Sequence, residues 1–206
     1  MILTEINRYY TSKLQQFGAT PRGVDWNSEA SQILRFDQLV KLFAGEDDIS
    51  VTDYGCGYGA LASYLLGKGL KFTYCGYDIS KSMIHAATAN FGRLPSCTFS
   101  SDESQLSAAD FTLASGIFNV KLHFDDSTWG SYITGTLDKL HSISRKGFAF
   151  NALSMYSDPE RMRPDLHYAD PLQLFDHCKR NYSRFVALLH DYPLYEFTVL
   201  VRKGSS

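Results

Sequence analysis

No apolar run in this chain approaches the roughly 20 residues that a membrane-spanning helix needs. Its start, Met1-Ile2-Leu3-Thr4-Glu5, has neither a basic opening nor an apolar stretch, so no secretory leader is expected. Cysteine is scarce: Cys56, Cys75, Cys97 and Cys178 form no C-x-x-C pair and stand at no zinc-ligand spacing with a histidine. They read as buried thiols of a reducing compartment, with no metal site and a cytoplasmic location. An excess of either charge is also missing. Twenty Lys and Arg against 22 Asp and Glu leave a net charge of −2, which argues against a nucleic-acid partner; the lack of a long apolar run argues against a membrane. There is no internal repeat, low-complexity block or linker. What is present is a hydrophobic fraction of 44% over 206 residues, enough to bury one core.

The N-terminal stretch reads as helix over Thr4–Gln16, loop over Phe17–Asn27, and a second helix from Ser28 to about Phe43. Gly18, Pro21 and Gly23 break the loop, and Asn27 or Ser28 would cap the helix. From Ile49 the pattern becomes strand and helix in alternation. Strands are expected at Ile49–Tyr54, Lys71–Tyr77, Cys97–Ser100, Phe111–Ser115 and Lys146–Leu153. Helices are expected at Ala60–Leu66, Ser80–Asn90 and Thr128–Ser142. Such alternation predicts an α/β fold, a mostly parallel, doubly wound sheet with helices on both faces. The end differs. Arg184–His190 and Tyr195–Arg202 are strand-like, and Asp191-Tyr192-Pro193-Leu194 is too short for a crossover helix, so the two must form an antiparallel hairpin. Gly204-Ser205-Ser206 reads as a flexible tail. The division expected is an N-terminal helical segment and loop over residues 1–45, covering the site of a single domain at 46–203.

The chemical centre is Asp53-Tyr54-Gly55-Cys56-Gly57-Tyr58-Gly59, placed between a strand and a helix. Glycines let the chain turn sharply and approach a ligand, and the helix start offers free N–H groups. Gly55-x-Gly57-x-x-Ala60 meets the loose dinucleotide fingerprint, which keeps an NAD-dependent oxidoreductase open as an alternative. Asp53, two residues before the first glycine, suits a ligand bearing an ammonium or sulfonium and would repel a pyrophosphate. The run Val51–Gly59 resembles motif I of the Rossmann-like, seven-stranded class I S-adenosylmethionine-dependent methyltransferases, whose sheet ends in the same hairpin. The resemblance spans about Ser28 to Lys203.

The resemblance implies S-adenosylmethionine as cofactor, S-adenosylhomocysteine as product, and cofactor contacts from Asp53, Gly55, Cys56, Gly57 and Gly59. Asp78, ending the second strand beside Ile79, would accept the ribose hydroxyls, although it also suits a helix cap. Asp102 with Glu103 would meet the adenine, or be solvated loop acids. Ser115 and Gly116 would line the methionine end, and Asn119 would face the acceptor or simply form a turn. Trp26 would close the pocket or anchor its loop. Arg35 would pair with the cofactor carboxylate or be a solvated helix arginine. If a general base is needed, His123 is preferred over His167, Tyr168 and His190 because its loop should overlie the methyl group. Arg161 and Arg163 could hold an anionic acceptor group or form a solvated loop face. The expected activity is methyl transfer to O or N of a small molecule or saccharide-like metabolite, by a monomer or homodimer. A cofactor-binding protein without turnover, and aminopropyl transfer on the same fold, also stay open.

Overall fold

The computed structural model describes residues 2–204; Met1, and Ser205 and Ser206 of the expected tail, lie outside the described residues. Helix α1 (Ile2–Phe17) is followed by a 3-10 turn, Pro21–Val24, and by α2 (Glu29–Leu39), which ends in a second 3-10 turn, Val40–Phe43. Seven strands then alternate with helices: β1 (Ile49–Tyr54), α3 (Ala60–Gly67), β2 (Phe72–Tyr77), α4 (Lys81–Phe91), β3 (Cys97–Ser100) and β4 (Ala109–Ala114). After these come α5 (Asp126–Ser142), β5 (Ser144–Leu153), α6 (Pro171–Asn181), β6 (Phe185–Leu189) and β7 (Glu196–Arg202). Helix starts follow their capping residues. Ser28, Ser80, Asp125 and Asp170 each accept a hydrogen bond from a first-turn N–H, and Pro171 occupies the first helical position of α6.

The sheet order is β3-β2-β1-β4-β5-β7-β6, parallel from β3 through β5. The hairpin partner β7 runs antiparallel to both β5 and β6. Central strands are buried on both faces, and β4 and β7 are accordingly largely apolar, whereas β1 carries Ser50, Thr52 and Asp53. In β5 and β7 alternate residues serve opposite layers. Phe148, Phe150, Phe197, Val199 and Val201 join Trp129 and Leu137 of α5 in one core; Ala149 and Leu200 join Leu39, Leu61 and Leu65 in the other. Trp129 is fully buried because its indole N–H reaches the Phe118 carbonyl at 2.9 Å.

All four cysteines are free; Cys56, Cys97 and Cys178 are buried and Cys75 is half-buried. Among the described residues, no helix is long and apolar enough to cross a membrane. The chain order reverses between β1 and β4, so a crevice opens at the carboxyl ends of these strands, where open α/β sheets bind ligands.

Candidate active site

The glycine turn sits in that crevice. Gly55, Gly57 and Gly59 all have φ between 53° and 87°, a region that glycine enters without penalty. A Cβ on Gly55 would lie 2.3 Å from Ile117. The turn's own N–H groups are largely taken: Gly55 and Cys56 donate to the Tyr77 carbonyl, Gly59 to the Cys56 carbonyl, and Gly57 to Asp78 at 2.9 Å. Few remain for a pyrophosphate, which weighs against the dinucleotide alternative.

A first cavity of about 100 Å³ lies over this turn. Asp53, Gly55, Cys56, Gly57, Asp78, Ile79, Ser115, Gly116 and Trp26 all line it. Gly59 does not, and instead packs against Phe91 and Ala87 of α4. Helix α1 crosses above, contributing Leu3, Ile6 and Tyr10. Asp53 is buried and accepts the Tyr74 hydroxyl at 2.6 Å. Burial, reinforced by the Asp78 charge and opposed by that hydrogen bond, lifts its pKa to about 7. Burial likewise lifts Asp78 to about 6, against two N–H donors, Gly57 and Ser80. Each Asp78 oxygen takes one of these donors, leaving lone pairs for hydroxyls. The Ser115 hydroxyl is buried without a partner. An orphaned polar atom, a glycine cradle and a carboxylate with spare lone pairs fit a polar nucleoside ligand.

A second cavity of about 400 Å³ adjoins the first. Tyr10, Val24, Trp26 and Gly116 line both and so form their shared wall. The Trp26 ring lies so close to Gly116 that a Cβ there would sit 2.3 Å from it. Asn27, Asn119, Ser157, Tyr168 and Tyr195 supply polar lining to the second cavity, with Arg161 and Arg163 beside them. Arg163 is held by Asp165, whereas the nearest carboxylate to Arg161 is Asp158 at 3.9 Å.

Several expected residues stand elsewhere. Arg35 is turned away from the first cavity. Its guanidinium donates twice to Glu196, at 2.8 and 2.5 Å, and stacks 3.8 Å from the Trp26 ring. A pairing with the cofactor carboxylate is thereby replaced by a tie from α2 to the hairpin, because the buried Glu196 takes the fork. His123 lines neither cavity; its side chain is 68% exposed and 3.5 Å from Glu5. Among the described residues no histidine lines either cavity. Asp102 is exposed and caps its own turn through Ser104, and Glu103 accepts the Tyr54 hydroxyl and pairs with Lys139. Neither lines the first cavity: Ser104 holds the Asp102 carboxylate, and Tyr54 with Lys139 holds that of Glu103. Asn119 keeps its expected side, lining the second cavity, while its Oδ1 receives the Leu153 N–H at 3.1 Å and ties the β4 exit to β5.

Gln32, Tyr58, Tyr77 and Tyr132 are among the lining residues that gave no sequence signal. Tyr58 lies inside the glycine motif, but its hydroxyl reaches Gln32 on α2 at 2.9 Å, a contact that only the fold creates.

The Methyltransferase domain family matches residues 26–184. The chain is 50% identical over 166 residues to "Putative methyltransferase Rv1506c" of Mycobacterium tuberculosis (strain ATCC 25618 / H37Rv), a match covering 81% of this chain and 100% of that protein. Its fold is similar to magnesium protoporphyrin IX methyltransferase (ChlM) from Synechocystis PCC 6803 with bound SAM, at TM-score 0.68 and 15% identity over 99% of this chain and 98% of that one. It is also similar to a DhpI-SAH complex, at TM-score 0.64 and 17% identity over 100% and 98%. The chain belongs to the Methyltransferase domain family and has the class I S-adenosylmethionine-dependent methyltransferase fold.

Proposed function

We propose that this methyltransferase binds S-adenosylmethionine in the first cavity and transfers its methyl group to an O or N atom of a small molecule held in the second. The observation that carries the reading is the shared wall of Tyr10, Val24, Trp26 and Gly116 between two adjoining cavities. Methyl transfer is an in-line displacement for which the cofactor supplies the activation. The protein's part is to align the nucleophile with the methyl group and to exclude water. Trp26 is held for that task by Arg35 stacked on its ring and by the close approach of Gly116. Among the described residues neither cavity is lined by an imidazole, so a proton lost by the acceptor would pass to another group there, such as Tyr168, or to water. Residues 1–45 then act as a cover for the domain at 46–203. The first cavity is smaller than the roughly 300–1,000 Å³ of ordinary ligand clefts, so the cover must yield for the cofactor to enter.

The test is radiolabelled methyl transfer from S-adenosylmethionine to a panel of phenols, amines and saccharides, with S-adenosylhomocysteine release as a second readout. Label on a small acceptor supports the reading. Tight cofactor binding without transfer to any acceptor would favour a binding protein without turnover.

Two predictions arise here. The carboxyls of Asp53 and Asp78 bind protons more tightly in the folded chain than in the unfolded one, where their pKa is about 3.9. Their contribution to stability is therefore present in full below about pH 4 and is lost as pH rises through the folded values of about 6 and about 7. A ligand that donates hydroxyls or an ammonium to the carboxylates favours the ionised form, so binding releases protons. Affinity for S-adenosylhomocysteine should fall about tenfold or more from pH 8 to pH 5.5. Calorimetry at both pH values, in buffers of different ionisation enthalpy, measures the affinity and the protons released. A flat profile with no proton release would contradict these assignments.

Gly116→Ala should displace Trp26 and strain a backbone held at φ 74°. About 1–3 kcal/mol of stability should be lost, together with cofactor affinity. Chemical denaturation and the same titration check both effects.

A further inference from the structure

Among the described residues, no Lys, Arg or His lines the first cavity, although Asp53 and Asp78 do. The cofactor reading puts an amino-acid carboxylate there, and the arginine expected to meet it is committed to Glu196. Some uncharged donor must take its place. Gln32 is 5% exposed and lines the cavity. Its Oε1 accepts the Tyr58 hydroxyl at 2.9 Å, which engages one end of the amide and leaves the Nε2–H end to donate elsewhere. Its Nε2 makes no hydrogen bond among the described residues and is not sealed off from the cavity. An amide N–H that keeps solvent access and has no protein partner is free to donate to a ligand. Position agrees with this role. Asp78 ends β2 on one side of the turn, whereas α2, which carries Gln32, packs against β5 and β7 on the other. A ligand with its ribose at Asp78 would extend its amino-acid chain across β1 and β4 toward α2.

We propose that Gln32, oriented by Tyr58, binds the carboxylate of the cofactor's methionyl chain through its Nε2–H, so that this carboxylate is recognised without a countercharge. The proposal rests on the cofactor reading above. The consequence is specificity: the site distinguishes cofactors by the presence of that carboxylate through one hydrogen bond, and a single charge introduced at position 32 inverts the choice.

The test is calorimetry with S-adenosylhomocysteine and its decarboxylated analogue, S-adenosyl-3-thiopropylamine. Wild type should prefer S-adenosylhomocysteine by about ten- to a hundredfold, the effect of one hydrogen bond to a charged acceptor. Gln32→Glu should reverse the order, because its carboxylate repels one ligand and not the other. Gln32→Leu should bind both ligands with little distinction. Tyr58→Phe, which leaves the cavity lining in place, should reduce the preference by freeing the amide to turn. Gln32→Glu or Tyr58→Phe protein retaining the full wild-type preference would overturn the proposal; Tyr58→Phe decides it if the position-32 variants do not fold. If folded wild type binds neither ligand, the cofactor reading fails, and this inference fails with it.

Discussion

Replacing Arg35 by Ala is expected to cost about 3–5 kcal/mol of folding stability, the usual effect of removing one partner from a buried ion pair. Glu196 is only 1% exposed and heads β7, a central strand. Without the guanidinium its carboxylate would keep neither of its two hydrogen bonds. The same change removes the bond from Arg35 to the Ser31 carbonyl and uncovers one face of Trp26. The pair is 161 residues apart in sequence, so its loss should loosen the N-terminal segment from the domain as well as the hairpin end. Urea unfolding gives the magnitude. The paired change Arg35→Met with Glu196→Leu should recover most of it, since two apolar side chains of similar volume leave no charge unpaired. An Arg35→Ala protein within about 1 kcal/mol of wild type, the scale of an exposed pair, would show that the tie is ornamental.

Asp78→Ala should lower cofactor affinity by about a hundredfold or more while leaving the fold in place. Two hydrogen bonds to a carboxylate, each worth roughly 1.5–3 kcal/mol, set the scale. The stability effect should be much smaller. The substitution leaves the Gly57 and Ser80 N–H groups without their acceptor, which destabilises. It also removes a carboxyl that burial pushes up to about 6, which stabilises above that pH. Far-UV circular dichroism and a melting curve separate folding from binding. A variant that binds as well as wild type would remove Asp78 from the site.

Features written in consecutive residues are legible without the fold. The glycine turn, Asp53, Asp78 and the hairpin each depend on a short stretch of chain, and each takes its expected place in the architecture. Residues whose roles depend on partners distant in sequence are not legible. Arg35 reads as a ligand residue because nothing near it in sequence shows that Glu196 waits on β7. Gln32 has no signal, since its neighbour Tyr58 is brought to it by the packing of α2 over the turn. Asp102 falls on a motif position, yet Ser104, two residues on, takes its carboxylate into a local cap. His123 shows the weakest step: a loop can follow the right strand and still turn its side chain to solvent.

Titration calorimetry with S-adenosylhomocysteine at pH 8 tests whether the first cavity is a cofactor site. The predicted result is saturable one-site binding, weakened by Asp78→Ala and not displaced by NADH. Folded protein that gives no binding heat up to millimolar S-adenosylhomocysteine, or that binds NADH in its place, would contradict it.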